Sequence, residues 1–180
     1  MDRAVWQQTL LGRLEQISQA GQAAADYLRL HKTRIGFRRA RLNVGAFWTL
    51  AGSIHLNSRR YSTANSLDDP YVLCLLLHEA RHLQQGFFTA LSVYGELEAW
   101  QLHFTVYHSL VSGGIHPSIS ELLAMPLSLD RTALSRARTL MQQYAGKKYR
   151  VDLLPLYPLG KELAYRLGFR RPGEVTGSGS

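Results

Sequence analysis

The sequence predicts an α+β fold, mostly helical, with one small antiparallel sheet set ahead of a helix that carries two histidines. Three observations predict it. Apolar residues recur at helical spacing over most of the chain; the segment Thr33–Tyr61 is instead rich in aromatic and branched residues, interrupted by Gly45 and Gly52; and capping residues stand where helices should begin and end.

The first helix is expected from Arg3 to about Leu30, with Trp6, Leu10, Leu14, Ile17 and Ala24 among its buried positions. Thr33–Tyr61 reads as two or three short strands. A helix from about Pro70 to Gln85 follows. Asp69 can accept from its first free amides, Pro70 suits the first helical position because no N–H is needed there, and Gly86 can end it in a left-handed cap. The next helix should run from Thr89 or Ser92 to about Ser112, and its nearly all-round apolar surface places it centrally in the core. Beyond it, "SISELLAM" predicts a short helix, "LDRTALSRARTLMQQYAG" a longer one between Asp130 and Gly146, and "PLGKELAYRLGF" a last one. Residues 1–175 are read as one domain, because 180 residues suit a single core, and 176–180 ("TGSGS" with its threonine) as a flexible tail.

Composition narrows the class. With 46% hydrophobic and 19% charged residues the chain can bury a core and is not of the disordered type. Its longest apolar run, Val72–Leu77, falls far short of the roughly 20 residues of a membrane span, and no secretory signal pattern opens it. The single cysteine, Cys74, excludes an internal disulfide, so a reducing cytoplasm is the expected compartment. The net charge of +8 is concentrated in "HKTRIGFRRAR", His31–Arg41, which could meet nucleic acid, an acidic protein or anionic lipid. The simpler reading makes these arginines the solvated positions of a strand whose Ile35 and Phe37 point the other way.

The chemistry lies in "CLLLHEARHLQQG", Cys74–Gly86. Residues four apart on a helix share a face, so His78 and His82 can direct both imidazoles at one point. Two neutral imidazoles suit Zn²⁺, one ion per chain, and Glu79, turned by about 100°, can work on a water instead of competing as a ligand. This is the H-E-x-x-H arrangement of zinc metallopeptidases: zinc brings the pKa of a water to about 7, the glutamate takes its proton and later returns it to the leaving amine. A catalytic zinc needs a third protein ligand. The spacing H-E-x-x-H-x-x-G-x-x-H is not met, because Gln85 and Phe88 occupy its last fixed positions. An antiparallel return around Gly86 brings both Glu96 and Glu98 to the depth of His82, and their separation of about 200° lets only one face the metal.

"HEARHLQQ" followed by "ELEAW" resembles the gluzincin metallopeptidases, over about Tyr71–Phe104, and also phage and bacterial proteins with "HE-x-RH-x-x-Q". The gluzincin second motif commonly reads E-x-x-A-D or E-x-x-A-N. The resemblance implies a minimal zincin-like domain, a hydrolase acting on a peptide or protein substrate, with Glu96 as third zinc ligand and Ala99 as the small residue; Trp100 stands where the family carries an acidic or amide side chain. It further implies an edge strand that holds the substrate backbone, here within "NVGAFWTLAGSIHLN", and an oxyanion or ligand-supporting helper, with His103, His116, Tyr149 and Tyr157 left open. Two other readings compete. In one, Arg34, Arg38, Arg39, Arg41, Arg59 and Arg60 grip nucleic acid and the histidines are structural; in the other, zinc is bound in a catalytically silent interaction module.

Overall fold

The computed structural model describes residues 2–146 and 149–168; the expected end of the last helix at Phe169 and the expected tail at 176–180 lie outside the described residues. In place of one helix over Arg3–Leu30 there are two, α1 (Arg3–Ile17) and α2 (Gln19–Leu30). Ser18 between them is extended (φ −176°, ψ 167°), and its hydroxyl accepts from the Gly21 amide at 2.9 Å, capping α2. The apolar spacing runs on past this break, so periodicity alone does not reveal it. Gly21 lets α2 fold back on α1, since a Cβ there would stand 2.2 Å from the Leu14 carbonyl oxygen. Arg29 then reaches Glu15 at 2.7 Å across the hairpin.

Three strands occupy the predicted segment: β1 (Ile35–Arg38), β2 (Ala46–Trp48) and β3 (Ile54–Asn57), in the order β1-β3-β2. The sheet is mixed and not purely antiparallel, which corrects the expectation. β2 and β3 form an antiparallel hairpin closed by the Thr49 amide on the Ser53 carbonyl, while β1 pairs with β3 in parallel. Residues 39–53, which include β2, supply the dozen or so residues that a parallel crossover requires. β2 is therefore left at an edge.

The helix α3 (Pro70–Gln85) has the predicted bounds, with the Asp69 carboxylate accepting from the Tyr71 amide at 2.9 Å and Pro70 in its first turn. Gly86 closes it at φ +72°, but ψ of 163° sends the chain out extended instead of into a left-handed turn. A single short turn, α4 (Phe87–Ala90), leads to α5 (Val93–Leu110), whose cap is Ser92, accepting from the Gly95 amide at 3.0 Å. Then come α6 (Pro117–Ala124), α7 (Arg131–Ala145) capped by Asp130, a 3-10 turn at Val151–Leu153 that the periodicity did not predict, and α8 (Leu159–Arg166).

Two apolar clusters result. One joins α1, α2, the sheet and α3 around Trp6, Leu10, Leu14, Ile35, Leu56 and Leu76; the other joins α5, α6 and α7 around Leu97, Trp100, Ile119, Leu134 and Leu140. Each fully buried leucine among them contributes roughly 1.5–3 kcal/mol of transfer free energy. Helix α5 belongs to both, with Val106 in the first cluster and Leu97 in the second. Among the described residues no helix is long and apolar enough to cross a membrane.

Candidate metal centre

Helices α3 and α5 pack against each other, and the residues of interest sit where they face. His78 and His82, one turn apart on α3, bring their Nε2 atoms to 3.0 Å. From α5, the Glu96 carboxylate approaches His82 Nε2 at 3.5 Å and His78 Nε2 at 3.8 Å. Donors bound to one zinc at about 2.0–2.1 Å in a tetrahedron lie about 3.3 Å apart, and the observed separations bracket that value. The three side chains thus form a group that can hold a metal ion.

The electrostatics fit the same role. Burial first, then the His82 and His103 rings, hold His78 well below the usual imidazole range, which keeps it in the neutral form that ligates metals. Each donor is also oriented from behind. The His78 ring hydrogen-bonds the Ala99 backbone, His82 Nδ1 lies 3.1 Å from Gln85 Oε1, and the Tyr149 hydroxyl donates to Glu96 Oε2 at 2.5 Å. Trp100, which departs from the gluzincin pattern, donates its indole N–H to the Tyr149 oxygen at 3.0 Å. The indole therefore supports the Glu96 carboxylate through the tyrosine, while a backbone carbonyl and a glutamine serve the histidines.

Glu98 is turned elsewhere: Arg81 donates to its carboxylate, and Gln85 Nε2 reaches it at 2.7 Å. Gln85 also donates to the Gly95 carbonyl at 3.0 Å, so this one side chain ties α3 to the start of α5 while orienting His82. Sequence patterns alone give Gln85 no part in the site. Its spacing of three from His82 was the available signal, since such pairs share a face. If the group holds a divalent cation, Gln85→Ala should weaken its binding by about 10–100-fold while leaving about one site per chain, as measured with added zinc in competition with a chromogenic chelator.

Glu79 is buried beside this group. Burial, and after it the nearby Glu96 carboxylate, push its carboxyl up to about 8, against a hydrogen bond from the Trp48 backbone that lowers it. A divalent cation at the three donors would pull it back down, because an adjacent positive charge favours the carboxylate.

The four helper candidates separate by position. Tyr149 lines the cleft and holds Glu96. His103 also borders it, hydrogen-bonded to the Cys74 backbone and pushed down to about 3 by burial, with Nε2 unpartnered. His116 caps α6 with its ring nitrogen, 3.2 Å from the Ser118 amide, and Tyr157 packs in the α7 cluster; neither lines the cleft.

That cleft, of about 620 Å³, has α3 at its base, the edge strand β2 on one side and the aromatic rings of Trp100, Phe104 and Tyr144 on the other. Gly45 and Thr49 direct backbone bonds to the β3 side. Backbone groups of an antiparallel strand alternate, so Ala46 and Trp48 turn theirs to the open edge, and Trp48 there meets Glu79.

No protein-family model, curated protein or solved structure matches the chain. The functional reading stands on the residues and their geometry.

Proposed function

We propose that the protein is a zinc-dependent metallopeptidase of minimal gluzincin-like form, hydrolysing peptide bonds with a water as nucleophile and Glu79 as general base. The observation that carries this is the meeting of three zinc-type donors, His78, His82 and Glu96, with a fourth, buried carboxyl at the base of a cleft that an open strand edge borders. Bound there, zinc would supply a Lewis acid for the scissile carbonyl and a water acidic enough to ionise near neutral pH. The chain does the rest. Ala46 offers edge backbone groups to an extended substrate, Glu79 accepts the proton of the attacking water and delivers it to the departing amine, and Tyr149 keeps Glu96 aligned. A cytoplasmic setting suits the reading, since the single cysteine is a free thiol and no disulfide is needed to hold the fold.

Elemental analysis of protein purified without added metal tests the first half, with about one zinc per chain expected. Cleavage of an unfolded protein substrate tests the second: it should stop with chelator and return with zinc. Stoichiometric zinc with no cleavage of any substrate would favour the silent interaction module, and no zinc after reconstitution would sink the reading.

A further inference from the structure

The parallel pairing of β1 with β3 has a consequence for charge. Both strands end on the same side, where Arg38 is in register with Asn57, and the Asn57 amide donates to the Gly45 carbonyl just before β2. The chain leaving β1 carries Arg39 and Arg41, and the chain leaving β3 carries Arg59 and Arg60, all exposed. Among the described residues none of these, nor Arg38, makes an ion pair, and between Asp26 and Asp68 the sequence has no acidic residue. Like charges gathered without counter-charges are not there for the stability of the sheet.

They are also held in place. Asn57 is fully buried, and its side-chain amide bonds four backbone groups of the two arginine-bearing segments. Its oxygen accepts from the Ala40 and Arg59 amides, each at 3.1 Å, and its nitrogen donates to the Arg41 and Val44 carbonyls at 2.8 and 2.7 Å. That saturates the four hydrogen bonds of an asparagine side chain and fixes both segments against each other. Arg60 and Asn43 then line the cleft itself, so the basic surface runs into the site.

We infer that the arginines at this end of the sheet recognise an acidic segment of the peptide substrate, a reading that rests on the metallopeptidase function proposed above. Antiparallel addition to β2, the more stable pairing, sets the reacting bond near Trp48 and Glu79 and runs the C-terminal half of the bound chain past Ala46 towards Asn43 and Arg60. The acidic residues thus follow the cleaved bond. Nucleic acid is the lesser fit, because Arg60 and Asn43 lead this surface into the cleft bordered by Ala46 and Trp48, whose free backbone groups suit an extended peptide.

Binding separates this inference from catalysis. Zinc-loaded protein carrying Glu79→Gln would be titrated by fluorescence anisotropy against a labelled peptide ending in a run of glutamates, its glutamine counterpart, and a single-stranded oligonucleotide of equal charge. The glutamate peptide should bind about tenfold more tightly than the glutamine one at about 50 mM salt, and the advantage should shrink by about 300 mM. It should vanish in Arg59→Gln/Arg60→Gln protein that keeps its zinc and its circular dichroism spectrum. In a peptide library digested by the parent protein, aspartate and glutamate should be enriched after the cleaved bond. Equal binding of the two peptides, tighter binding of the oligonucleotide, or enrichment before the bond would each overturn the inference. Arginine-dependent binding of the glutamate peptide by a protein that cleaves nothing would uphold this surface and remove the peptidase reading alone.

Discussion

Glu79→Gln should lower peptide hydrolysis by about 10²–10⁴-fold, the range a positioned general base provides, and leave the zinc content unchanged. The amide has nearly the same volume as the carboxyl, so no cavity forms in this buried site. It cannot take a proton from water, and it removes a charge that burial and Glu96 both disfavour. The variant protein should therefore fold and load metal as the parent does. Side-by-side elemental analysis and single-turnover cleavage give the answer: activity within a few-fold of the parent would reject Glu79 as the base, and loss of zinc would show that the carboxylate had been holding metal.

Removing a donor should have the opposite signature. His82→Ala takes away a buried imidazole at the centre of the group and should cost zinc affinity well beyond the about 10–100-fold expected for an outer partner such as Gln85. Glu96→Gln should also lose metal, whereas Glu98→Gln should retain about one zinc per chain, because its carboxylate serves Arg81 and Gln85. Tyr149→Phe keeps the ring and deletes the hydroxyl that holds Glu96, so its affinity should fall between the parent and Glu96→Gln. Chelator competition on the purified variants orders all of these. The reverse order for the two glutamates would exchange their roles.

What could be read in the sequence was local. Asp69 and Asp130 mark helix starts because a cap acts within three residues, Ser92 stands beside Thr89 as one of two possible starts, and His78 and His82 meet because a helix turn brings positions four apart together. The break at Ser18 escaped because its apolar positions keep their rhythm on either side and only the approach of Gly21 to Leu14 shows the fold-back. Alternation in Thr33–Tyr61 assigns faces to side chains but says nothing about the direction of the neighbouring strand, so the parallel partner of β3 could not be seen. Tyr149 lies far along the chain from Glu96, just before an unpredicted 3-10 turn, and no period connects them; it could be placed among four candidates but not chosen. The choice between Glu96 and Glu98 came from a resemblance and not from spacing, which allowed either.

The edge strand β2 is only Ala46–Trp48, and one of its two outward residues already meets Glu79. So short an edge gives a second copy of the protein little backbone to zip onto, and short edge strands are one of the ways in which sheets escape self-association. Concentrated protein should consequently resist fibril growth through this edge, even though the proposed substrate binding needs the edge uncovered.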